Sequence, residues 1–218
     1  MELRGKKLLF LGDSITEGHG TSAPGKIFWN VLARRTGARC IGYGIGGTRI
    51  APQHTPLGEG FQDLYFGTRV EQMEPEADAV IVFGGTNDFG HGDAPLGTPA
   101  DRTSDSFCGA LHALLCQLIE KYPAAQLVVM TPLHRCSEDE CGLNECGIPR
   151  TARLEGYVDA IIDVAAYYGI PALDLYRVSG IQPRVPILRE TYMPDGLHPN
   201  DAGHARIADK LIGFLNTL

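Results

Sequence analysis

Four short blocks of this chain carry the residue types that acyl transfer requires. Gly12-Asp13-Ser14-Ile15-Thr16-Glu17-Gly18 offers a hydroxyl, and Asp195-Gly196-Leu197-His198-Pro199 offers a carboxylate and an imidazole. A serine hydroxyl is a poor nucleophile until a base takes its proton, and histidine, with a free pKa of about 6.5, suits that task at neutral pH. The imidazole must keep one tautomer and be stabilised as it becomes cationic, and a carboxylate on its other nitrogen does both. Asp195 and His198 stand three apart in a glycine-containing turn, close enough to meet without help from a distant loop. A tetrahedral intermediate then needs donors aimed at its oxyanion. The candidates are the backbone N–H groups of Ser14 and Gly47 and the side-chain amide of Asn87, each typically worth about 10²–10³ in rate.

Gly47 and Asn87 come from the other two blocks, Gly42-Tyr43-Gly44-Ile45-Gly46-Gly47-Thr48 and Gly84-Gly85-Thr86-Asn87-Asp88. The elements that must hold the blocks are readable as alternating patterns. Short apolar runs at 7–11, 39–43, 79–83, 126–130 and 170–173 read as strands. Ala-Val-Ile-Val-Phe at 79–83 is the continuous kind, buried on both faces of a parallel sheet. Helical spacing covers 28–35, 106–121, 151–168 and 201–216, with a helical turn at 68–73. Strand and helix thus alternate, which predicts an α/β chain: a three-layer α/β/α sandwich around a parallel sheet of about five strands, flavodoxin-like in type. Ligands bind such sheets at the carboxyl ends of the strands, where three of the blocks fall, the fourth preceding the last helix.

The ordered set of blocks resembles the SGNH, or GDSL-type, hydrolases, and the resemblance spans residues 12 to 198. It implies a single hydrolase domain over 1–218 with Ser14 as nucleophile. Asp195 and His198 would complete the triad, and Gly47 and Asn87 would join Ser14 in the oxyanion hole. It implies ester substrates and no cofactor; members include carbohydrate O-acetylesterases, lysophospholipases and thioesterases. One departure is Gly42, which stands where many members have asparagine.

Other readings of the same residues are weaker. Ser14 alone would also suit a helix N-cap, and His198 could merely precede the last helix. Asp13 and Asp88 read as structural carboxylates bonding backbone or the serine loop. His19, His54, His91, His112 and His204 read as surface or internally satisfied. Gly42-x-Gly44-x-x-Gly47 spells a dinucleotide fingerprint, but Pro52 and Pro56 interrupt the helix that fingerprint needs. Gly12-Asp13-Ser14-Ile15-Thr16 does not fit Gly-x-Ser-x-Gly, which disfavours an α/β-hydrolase fold.

Composition narrows the partners. The chain has 218 residues, within reach of one domain at roughly 100–200 residues each. Its 19 basic and 26 acidic residues give a net charge of −7 with no basic cluster, which argues against nucleic acid. No run approaches about 20 apolar residues, so no bilayer span is expected, and the N-terminus lacks a signal-peptide core. The expectation is a soluble cytoplasmic enzyme acting on a small-molecule ester; nothing in the pattern sets its oligomeric state. The six cysteines are too few for a disulfide scaffold. Cys136, Cys141 and Cys146, with four residues between neighbours and His134 nearby, form a weak zinc or redox candidate without any Cys-x-x-Cys, so no metal is expected.

Three long loops, 48–67, 89–105 and 133–150, border the expected site. They offer Phe61, Tyr65, Phe66 and Phe89 as stacking platforms and Arg49, Arg102, Arg135 and Arg150 as polar grips, with Phe89, Arg49 and Tyr65 the leading substrate contacts. Such a rim suits a short-acyl ester, including O-acetyl groups on carbohydrates. A lysophospholipase- or thioesterase-like activity is the alternative, and a silent binding module the remote one.

Overall fold

The computed structural model describes residues 1–58, 63–140 and 142–218. In chain order its elements are β1 (Lys7–Gly12), α1 (Ser14–Glu17), α2 (Phe28–Thr36), β2 (Arg39–Gly44), β3 (Ala79–Phe83), α3 (Thr86–His91), α4 (Phe107–Lys121), β4 (Gln126–Met130), α5 (Leu154–Tyr167), β5 (Ala172–Leu173), α6 (Leu175–Val178), α7 (Pro186–Tyr192) and α8 (Asp201–Leu215). The strands form one five-stranded sheet in the order β2-β1-β3-β4-β5, every pairing parallel.

Period-two alternation in the central strands explains the layers. Leu9, Leu11, Val80, Val82, Leu127 and Val129 share one core with α4 and α5, through Leu111, Leu114, Leu118, Ile161 and Val164. The residues between them, Leu8, Phe10, Ile81, Phe83, Val128 and Met130, share the other with α2 and α8, through Phe28, Leu32, Ile207 and Leu211. Both faces of β1, β3 and β4 are thus covered, so their sequences read as unbroken apolar runs. Truncating one such leucine to alanine costs about 2–5 kcal/mol.

Local signals set the long helix boundaries. The Ser106 hydroxyl accepts from Gly109 N and starts α4. The Asn200 carboxamide oxygen accepts from Ala202 N and Gly203 N and starts α8, two residues after His198. Asn200 also donates from its backbone N to Tyr192 O at 2.9 Å and from Nδ2 to Thr191 O at 3.0 Å, tying the His198 turn to the end of α7.

Three departures from the sequence expectations have simple causes. The turn at 68–73 is a 3₁₀ segment, Phe66–Gln72. α3 is one and a half turns rich in poor helix formers (Asn87, Asp88, Gly90), so it shows no helical periodicity. α7 fully buries no residue and is only two turns long; Pro186 in its first turn is its main sequence signal. Among the described residues no helix is long and apolar enough to cross a membrane.

The cysteine loop adopts other partners. His134 Nδ1 lies 2.8 Å from Glu138 Oε2 and its ring sits 3.8 Å from Tyr176. Cys136 N donates to Gly196 O at 3.0 Å, bracing the turn between Asp195 and His198 from behind. Cys141 lies outside the described residues, among which no group of three or more His, Cys, Asp or Glu could hold a metal.

Candidate active site

The sheet order places a switch point between β1 and β3: the chain leaves β1 for β2 on one side, then crosses to β3 on the other. Crevices open at the carboxyl ends of strands at such a point. Ser14 follows β1 and Asn87 follows β3, so both stand at its rim.

Ser14 is the first residue of α1, with Asp13 as its N-cap, bonded from Ile15 N at 3.0 Å. Gly44 makes the close approach of β2 to this turn possible, since a Cβ there would lie 2.1 Å from Glu17 N. Gly47 has φ of 75°, a conformation that glycine enters without strain, and so the loop can turn back toward the serine.

One buried arginine binds these segments together. Arg69, 4% exposed, donates from Nη1 to Gly12 O (3.0 Å) and Tyr43 O (2.6 Å), and from Nη2 to Gly12 O (3.1 Å) and Thr48 Oγ1 (2.9 Å). Burial pulls its pKa down to about 10, still charged at neutral pH. Asp88 holds the next stretch by accepting from Ile50 N (3.1 Å) and Ala51 N (2.8 Å). Burial pushes the carboxyls of Asp88 and Asp13 up, to about 6 and about 7. Both fill the structural role expected of them.

Ser14 Oγ lies 3.0 Å from His198 Nε2, and His198 Nδ1 lies 2.8 Å from Asp195 Oδ2. The other oxygen, Asp195 Oδ1, accepts from Leu197 N (2.8 Å) and His198 N (2.7 Å). Partial burial works against ionisation of Asp195, but these N–H groups and the imidazole together hold its carboxyl below the usual range. It is therefore an anion at neutral pH, which keeps the Nδ1 proton on His198 and leaves Nε2 as the acceptor facing Ser14. This is an arrangement in which a serine can be deprotonated as it attacks.

Asn87 Nδ2 donates to Thr48 O at 2.9 Å. An amide nitrogen carries two protons, so one fixes the side chain and the second remains for an oxyanion. Asn87, Gly47, Ser14 and His198 line one open cleft of about 460 Å³.

The expected substrate contacts are placed elsewhere. Phe89 is 1% exposed, edge-on to Tyr157 and packed against the guanidinium groups of Arg135 and Arg150, so it is a core ring and not a platform. Arg49 is 1% exposed; it lies behind His91, with Nη1 3.0 Å from His91 Nδ1, and faces Asp63 at 3.5 Å. Tyr65 pairs its backbone with Arg49 and does not line the cleft. Phe66 is fully buried. Arg102 packs over Tyr167, and Arg135 pairs with Glu145. Phe61 lies outside the described residues.

In their place the cleft takes Glu17, His19, Ile45, His91, Glu145 and Leu197. His19 and His91 are thus cleft residues. Burial and the Arg49 charge push His91 down to about 4, so its ring is neutral. His112 and His204 are buried and hydrogen-bonded, as expected. Glu17 stood inside the first block, but nothing in the sequence aimed its side chain.

The model of the GDSL-like Lipase/Acylhydrolase family matches residues 10–206, a span that takes in all four blocks. A GDSL lipase of Mycobacterium tuberculosis is 27% identical, the match covering 99% of this chain and 84% of that protein. A solved structure from Lactobacillus plantarum is 32% identical, with a TM-score of 0.81 over 99% of this chain and 98% of its own. A two-domain esterase active on acetylated mannans shares the fold, with 21% identity and a TM-score of 0.62 over 99% of this chain and 49% of its own. With its strand order, its serine at the switch point and a family match over most of its length, this chain belongs to the GDSL-like lipase/acylhydrolase family of ester-bond hydrolases.

Proposed function

We propose that the chain is a single-domain serine esterase that removes short acyl groups, such as acetyl, from small hydroxyl-bearing molecules, carbohydrates among them. The observation that carries this reading is the hydrogen-bonded chain from Ser14 Oγ through His198 to Asp195, at 3.0 and 2.8 Å.

Ser14 Oγ attacks the ester carbonyl carbon and its proton passes to His198 Nε2. The imidazolium is stabilised by the Asp195 carboxylate. Charge developing on the carbonyl oxygen is met by the N–H groups of Ser14 and Gly47 and by Asn87 Nδ2. Collapse breaks the ester bond, and the departing alcohol oxygen takes the proton back from His198. Water then attacks the acyl-serine by the same steps in reverse order, releasing the acid and restoring Ser14.

The cleft lining supports a short acyl group. Among its described residues only Ile45 and Leu197 are apolar side chains. Each buried methylene contributes about 0.8 kcal/mol, so two side chains reward a few carbons and no more. The acetylated substrate of the two-domain mannan esterase is consistent with the same chemistry on this fold.

A series of p-nitrophenyl esters from acetate to octanoate tests the reading. The expected kcat/KM is highest at acetate or butyrate and falls toward octanoate. A rate rising through octanoate would instead assign a lipase-like, long-acyl activity.

A further inference from the structure

The proton that His198 returns to the leaving oxygen fixes where the alcohol part of the substrate lies. Nε2 must reach that oxygen, so the alcohol departs along the imidazole side of the cleft. His19 is the neighbour there, its ring centroid 5.4 Å from that of His198. His19 Nε2 lies 3.1 Å from Glu17 Oε2, and the same oxygen accepts from Gly46 N at 2.7 Å. Glu17 is therefore pinned by two groups, one belonging to the residue before Gly47, while its side chain remains 45% exposed in the cleft. Among the described residues its other oxygen, Oε1, receives no hydrogen bond.

A carboxylate held in one position, with one oxygen unengaged beside the leaving group, is an acceptor for hydroxyl protons, and bonds to an ionised acceptor are the stronger kind. The same charge disfavours phosphate and sulfate esters at this position. Resting on the esterase reading above, we infer that Glu17, oriented by Gly46 N–H and His19, forms a leaving-group subsite for a neutral polyhydroxyl alcohol such as a sugar. It sets specificity and takes no part in the proton transfers.

The test compares two acetate esters, methyl 6-O-acetyl-glucopyranoside and p-nitrophenyl acetate, in wild type, Glu17→Gln and Glu17→Ala. The second ester has no hydroxyl in its leaving group, so any general disturbance of the loop affects both substrates and cancels in their ratio. The ratio of kcat/KM, sugar ester over nitrophenyl ester, is expected to fall about tenfold in Glu17→Ala, chiefly through KM on the sugar ester. Glu17→Gln, which keeps an acceptor oxygen but loses the charge, is expected to fall between. An unchanged ratio would overturn the subsite, as would a wild type that hydrolyses only the nitrophenyl ester. A wild type that hydrolyses neither would overturn the esterase reading itself.

Discussion

The Nδ2 of Asn87 donates to the carbonyl oxygen of Thr48 at 2.9 Å, joining the block after β3 to the loop after β2. Thr48 Oγ1 in turn accepts from Arg69, whose guanidinium also holds Gly12 O at the end of β1. The three segments that carry the proposed oxyanion donors are thus tied together by one buried network. Preorganisation of this sort lets donors act without rearranging as charge develops.

Replacing Asn87 by alanine removes one donor and one structural bond. The expected loss in kcat is about 10²–10³, with little change in KM, since the donor acts on the transition state. The lost bond to Thr48 costs on the order of 1 kcal/mol of stability, visible as a lower Tm. A variant that keeps kcat within about threefold contradicts the role of Asn87 as a donor.

Asp13 gives a prediction in pH. Its carboxyl, ordinarily at 3.8, is pushed up to about 7 by burial, against the pull of Ile15 N–H. Between those values the unfolded chain has released a proton that the folded protein still holds. Stability from this group is therefore complete below about pH 4 and is lost as pH rises toward 7. Asn at this position keeps the cap acceptor and abolishes the titration. Urea denaturation at pH 4.5, 6 and 8 should show Asp13→Asn gaining on wild type by up to about 1.4 kcal/mol per pH unit across the window. An offset that does not vary with pH contradicts the assignment.

Much of the site was legible because its chemistry is local. Asp195 and His198 share one turn, and Ser14 directly follows a strand. The continuous apolar strands at 79–83 and 126–130 are bounded in the structure as their sequences predict, since burial on both faces leaves no polar interruption. Arg69 was not legible. Its partners, Gly12, Tyr43 and Thr48, are brought together only by tertiary folding, and an isolated arginine in a polar segment resembles any surface residue. Phe89 misled for a similar reason: an aromatic residue beside a loop has no pattern to distinguish a rim from a core, and α3 turns it inward against Tyr157. Glu17 and His19 depend on Gly46 and on the return of the second loop, which sequence spacing does not encode.

The central claim, that Ser14 is the nucleophile activated by His198, is tested most directly by covalent trapping. The protein is incubated with a small fluorophosphonate, the intact mass is measured, and the modified peptide is sequenced. The account predicts one adduct per chain, on Ser14, absent from Ser14→Ala and formed far more slowly in His198→Ala. An adduct on another residue, or undiminished labelling of Ser14→Ala, would contradict it.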